Sequence, residues 1–157
     1  PEPPAYGYAY LALVADAAGD AKESDAALAQ ASKLPDGDET AALTRAQLQF
    51  IHGDHSGAET AMRELIRRHP SNSDALAALG AALSSDSRYP EALGAYSRAS
   101  AIARHDANLH YQAAMLLHAL GRDREAREQC ASALKIVPDN AAALGLMAEL
   151  ERGAAAR

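Results

Sequence analysis

The sequence predicts an all-α fold, a solenoid of antiparallel helix hairpins. Three observations carry that expectation. Apolar residues recur on helical faces, as at His110, Ala113, Ala114 and Leu117, which stand at i, i+3, i+4 and i+7. Turn residues interrupt those faces, as at Gly121 with Arg122 and Asp123 beside it. The whole pattern returns after about 34 residues. A single hairpin cannot bury its own apolar face, so copies must cover it on either side.

Residues 107–140 define the unit. After Gly121 a second face runs through Ala126, Cys130, Ala133, Leu134 and Val137. Pro138 ends it, because proline lacks the N–H and clashes with the preceding turn. One period earlier, residues 73–106 repeat the first face as Leu76, Leu79, Gly80 and Leu83, and the second as Ala92, Tyr96 and Ala99. Residues 39–72 place Gly53 at the turn, then Ala58, Met62 and Leu65, with Pro70 as terminator. Residues 5–38 begin with Tyr8, Leu11 and Ala12, turn at Gly19, continue with Leu28 and Ala31, and close at Pro35. A half unit, 141–152, follows, with Leu144, Met147 and Ala148 in the inward positions and Leu146 and Leu150 on other faces. Residues 1–4 read as an extended, proline-rich linker and 153–157 as a tail.

These residues resemble the tetratricopeptide repeat (TPR) family, whose pattern is W-x2-L-G-x2-Y, A-x3-F, then P. The third unit matches as Leu76-x2-Leu79-Gly80-x2-Leu83 and Ala92-x3-Tyr96. The fourth matches as His110-x2-Ala113-Ala114-x2-Leu117, Ala126-x3-Cys130 and Pro138. Small residues often replace the large ones, and four units in one phase give the resemblance its weight. The spacing favours this family over the pentatricopeptide arrays that bind RNA.

Two stretches depart from the pattern. The helix near residues 39–52 puts Arg45 and Gln49 in apolar slots if read without gaps. Sliding it by one residue turns Leu43, Ala46, Gln47 and Phe50 inward instead. The gap-free reading is preferred because it keeps Gly53 and Ala58 in place. Asp38 is expected to cap this helix. The first helix is apolar nearly all round, through Tyr6, Tyr8, Tyr10, Leu11, Leu13 and Val14. Such a terminal face, like that of the last helix, predicts self-association of the chain through its terminal helices.

Composition excludes several functions. The formal net charge is −6, which disfavours a nucleic-acid partner. The cluster Arg63, Arg67 and Arg68 reads as a solvated helix face. No apolar run reaches the ~20 residues of a membrane span. The start of the sequence shows no signal-peptide pattern, and a soluble protein of the cytoplasm or periplasm is expected. Cys130, the sole cysteine, reads as a buried apolar packer. His52 and His55 flank Asp54 but lack the further ligands of a metal site. No phosphate loop or nucleophile elbow occurs. No cofactor and no enzymatic activity are expected.

The TPR resemblance implies a protein-interaction module whose first helices line a concave, peptide- or helix-binding groove. It assigns to that groove Tyr6, Tyr10 and Leu13, then Gln47 and Phe50. It adds Asp74 with Ala77, Ala78, Ala81 and Ser84, and finally Asn108, Tyr111, Gln112, Met115 and His118. These positions carry no Lys or Arg, so the chain is not expected to clamp a C-terminal carboxylate as TPR co-chaperones do. A scaffold in the assembly of a bacterial complex is the expected role. The alternative is the substrate-recognition domain of a larger enzyme.

Overall fold

The computed structural model describes residues 3–34 and 37–155, and these form nine helices and no strand. They are α1 (Ala5–Ala17), α2 (Ala21–Ala31), α3 (Gly37–Ile51), α4 (His55–Arg68), α5 (Ser73–Ser85), α6 (Tyr89–Ile102), α7 (Ala107–Ala119), α8 (Asp123–Ile136) and α9 (Ala141–Ala155). Contacts divide them into two compact units, Pro1–Pro70 and Ser71–Arg157. The expected terminator Pro35 and the chain ends, residues 1–2 and 156–157, lie outside the described residues; Pro4 is extended as anticipated.

The period is written in turns and caps. Gly19, Gly53, Ser87 and Gly121 each follow the last by 34 residues, and all have positive φ (82°, 86°, 60° and 72°). That conformation closes each hairpin, and only glycine adopts it without a Cβ penalty. Ser87 is the exception the sequence did not mark. Ser87→Gly is therefore expected to stabilise the chain by about 0.5–1 kcal/mol, read as a rise in the thermal midpoint. The caps follow the same period. Asn72, Asp106 and Asn140 accept from Ala75, Asn108 and Ala143 N–H at the starts of α5, α7 and α9. Asp20 and Asp54 cap α2 and α4 in the same way. At the corresponding positions of α6 and α8 stand Arg88 and Arg122, each holding a glutamate three residues on with paired bonds of 2.6–2.8 Å. Asp38 does not cap α3: that helix already begins at Gly37 and takes Asp38 into its first turn. A Cβ at Gly37 would overlap the Ala31 carbonyl oxygen, so only glycine admits this early start beside the end of α2.

In the first unit α1 pairs with α2, α3 pairs with α4, and α3 packs on both α1 and α2. Ala12, Ala27, Leu28, Ala31, Ala41 and Leu48 form its core, with Tyr8 and Leu13 against it. Gly53 turns and Ala58 is buried, as the gap-free numbering of α3 expects, and Ala46, which the slid reading turns inward, is buried as well. Arg45 nevertheless faces solvent, because an unpaired guanidinium is too costly to bury. Thr44 is buried in compensation, with its hydroxyl donating to Thr40 O at 2.9 Å. Leu11, expected inward, is 46% exposed. Its counterparts Leu79 and Ala113, at the same place in α5 and α7, are buried.

In the second unit α5 pairs with α6, α7 with α8, and α9 lies on α8 and α7. Gly80 is the closest approach in its hairpin: a Cβ there would stand 2.9 Å from the Tyr96 ring. Ala114 is its repeat, fully buried with Leu117, Ala126 and Cys130. Burial pushes the Cys130 thiol above its usual pKa, which fits a packing role. Val137 falls just past α8 and is exposed, so the second face ends at Ala133 with Leu134 half-buried. The last helix corrects the sequence reading at Leu144 and Ala148 and keeps it at Met147, which packs half-buried on the core. Ala143, Leu146 and Leu150 are buried, whereas Leu144 is 47% exposed and Ala148 is also outside. Leu144 and Ala148 repeat His110 and Ala114, whose face serves the second helix of its own hairpin. Among the described residues no helix follows α9, so that face stays open. The face repeating Leu109 and Leu116 packs on the preceding hairpin instead.

Candidate binding faces

Within the first unit, Tyr6 and Tyr10 stand one turn apart on α1 and are 73% and 67% exposed. With Leu11 and Val14 they make a broad apolar strip on that helix. Leu13 belongs half to the core, packed on the Ala12–Leu28 cluster. Gln47 is half-buried on α3. Phe50 is neither a free groove residue nor a core residue. Its ring stacks on His55 at a centroid distance of 4.3 Å, pinning the α3–α4 turn. Two histidine–carboxylate contacts add cross-links: His52 Nε2 to Asp16 Oδ2 at 3.1 Å, and His69 Nδ1 to Glu39 Oε1 at 2.7 Å.

Within the second unit the expected residues gather on α7. Asn108 is exposed, and Tyr111, Gln112 and His118 are half-buried. Met115 is 42% exposed. Tyr111 is held from below, since it packs on both core clusters around α8 and α9. One period earlier α5 presents Asp74, Ala77, Ala81 and Ser84, which are small or polar. One period later α9 presents Gly145, Glu149 and Arg152. His118 Nδ1 bonds Asp123 Oδ1 at 2.8 Å, and Glu149 Oε1 lies 3.7 Å from its Nε2. Glu149 and Arg152 were missed in the sequence because the face of α9 was misassigned. Arg152 directs Nε at Ala148 O of its own helix.

The arginines expected to be solvated are so. Arg63 pairs with Glu59 at 2.8 Å, and Arg67 pairs with Glu64 at 2.8 Å, all on the exposed side of α4. The Arg67 bond holds the Glu64 carboxyl below its ordinary value, and pairs this exposed contribute little to stability. Among the described residues no group of three or more ligating side chains could hold a metal, and no helix is long and apolar enough to cross a membrane.

Hairpins of this period and turn geometry define a helical-repeat protein. Residues 83–150 match the tetratricopeptide repeat family model. Similar solved structures extend the likeness over nearly its whole length. A crystal structure of MamA is 17% identical over 92% of this chain and 85% of its own, with a TM-score of 0.76. YrrB, described as a TPR protein with an unusual peptide-binding site, is 21% identical over 96% of this chain and 77% of its own, at 0.71. The Yersinia enterocolitica type III secretion chaperone SycD, in complex with a peptide of the translocator YopD, is 17% identical over 71% and 91%, at 0.67. At these identities the likeness is one of fold. No curated protein matches the sequence.

Proposed function

We propose that this chain is a protein-interaction scaffold, and that its second unit binds a peptide or helix of a partner protein along the α7 face. The observation that carries the reading is Met115. It is a large, flexible apolar side chain, 42% exposed, on a helix whose opposite side is fully packed. Beside it, Tyr111 offers a half-buried ring, and Asn108 and Gln112 offer amide donors and acceptors for a peptide backbone. The small residues of α5 and Gly145 leave room alongside. The peptide complex of SycD and the peptide-binding site named for YrrB support the same use of the fold. Groove positions of α5 and α7 carry no Lys or Arg, and Arg152 on α9 turns its Nε to Ala148 O, so a paired-cation clamp for a C-terminal carboxylate is lacking and the ligand is an internal segment.

Peptides selected from a displayed library on the purified chain test this reading. Met115→Glu is expected to weaken their binding by about tenfold or more, as for loss of a central anchor. Binding unaltered by Met115→Glu and Asn108→Ala together would reject the α7 face.

The exposed strip on α1 supports the second part of the sequence expectation, self-association. We propose that it operates through Leu11 and Val14 rather than through Leu146 and Leu150 of α9, which are core. Sedimentation should show a dimer at high concentration that Leu11→Glu with Val14→Glu abolishes. A chain that stays monomeric at every concentration would remove the proposal.

A further inference from the structure

We propose that the second unit carries an additional site, a basic cleft at the end of the α6 and α8 helices that takes an acidic segment of a partner protein. It goes beyond the α7 face. Two adjoining hollows of about 540 and 690 Å³ share Arg104 and His105. The first is completed by His110 and Lys135, with Ser132 and Ile136, and no carboxylate lines it. The second is apolar where Ile102 and Val137 face it, 44% and 38% exposed. Its one acid, Asp106, is engaged in capping α7.

Charge balance sets this cleft apart from the paired arginines of α4, α6 and α8. The chain has a net charge of −6. Arg63, Arg67, Arg88 and Arg122 are each matched by a glutamate three or four residues away. Arg104 instead directs Nε at the Ala101 carbonyl at 3.2 Å, and Lys135 and His105 have no ion pair among the described residues. His110 is oriented by Gln129, Nδ1 to Oε1 at 2.9 Å. A local cluster of uncompensated cations on an acidic protein retains a short anionic segment by close contact. A long polyanion is disfavoured, because it would run from the cleft onto the acidic surface. The neighbouring hollow adds a requirement for one apolar side chain next to the acids, seated between Ile102 and Val137.

The probe is a fluorescein-labelled peptide, acetyl-Gly-Leu-Glu-Glu-Glu-Glu-Gly, titrated into the intact chain at low salt. Saturable binding is expected. Arg104→Glu with Lys135→Glu should weaken it by about tenfold or more, while Arg63→Glu with Arg67→Glu on α4 should change it by no more than about twofold. Replacing the peptide leucine by glycine should weaken binding to the native chain, and Val137→Ser should remove that difference. Absence of saturable binding would overturn the proposal. So would equal losses in the two variants, a cleft variant that shifts only thermal stability, or a single-stranded oligonucleotide of equal charge binding as tightly. Met115→Glu should leave this affinity unchanged, which separates the cleft from the α7 face.

Discussion

Leu146→Ala is expected to destabilise the chain by about 2–5 kcal/mol, the range for deleting a fully packed leucine, while Leu144→Ala should stay within about 0.5 kcal/mol. The two leucines lie two residues apart on α9, and simple counting along the repeat assigns them the opposite roles. Leu146 is 5% exposed and packs with Ala114, Leu117, Ala126, Cys130 and Leu150. Leu144 is 47% exposed. Removing Leu146 opens a cavity beneath α9 and loosens the helix that brings Glu149 to His118. Chemical denaturation of the two variants reads the contrast. Equal losses, or a larger loss from Leu144→Ala, would mean that α9 docks through its other face.

Gly80→Leu should cost about 1–3 kcal/mol. A Cβ alone would stand 2.9 Å from two atoms of the Tyr96 ring, and the remaining leucine atoms have nowhere to go. Tyr96 is 5% exposed and buried on α6, so its ring cannot swing into solvent without a loss of its own. A smaller ring-side residue relieves the contact: Tyr96→Leu should cost less in the Gly80→Leu background than in the native chain. Thermal melts of the single and double variants measure this coupling. Unchanged stability in Gly80→Leu would show that α5 and α6 do not meet there.

Turn and cap chemistry is local, and this makes the repeat legible in the sequence alone. Gly19, Gly53 and Gly121 mark three of four turns, and Leu76, Leu79, Gly80 and Leu83 mark a buried face that needs no tertiary information to recognise. What was not legible depended on neighbours. A first helix inside the array has two apolar faces, one for its own partner and one for the preceding hairpin. At α9 only the second is covered, so Leu144 and Leu146 exchange roles. At α1 the other face is open, so Leu11 is exposed although its repeats Leu79 and Ala113 are buried. Arg45, in an apolar slot of the gap-free reading, is exposed, because charge outweighs phase. The α7 residues were reachable from the repeat alone, since Asn108, Tyr111, Gln112, Met115 and His118 recur at fixed positions. The basic cleft was not, because Arg104 and Lys135 belong to different hairpins and meet only when α6, α7 and α8 pack.

The three methionines provide the most direct measurement of the central claim, that the α7 face binds a partner segment. Met62 is buried in α4 at 2% exposure, Met147 packs half-buried on α9, and Met115 stands 42% exposed on α7. Methyl-labelled methionine spectra recorded while a selected peptide is titrated should show the Met115 signal moving or broadening, with Met62 unmoved. A peptide that saturates the chain while the Met115 signal stays in place would contradict the account.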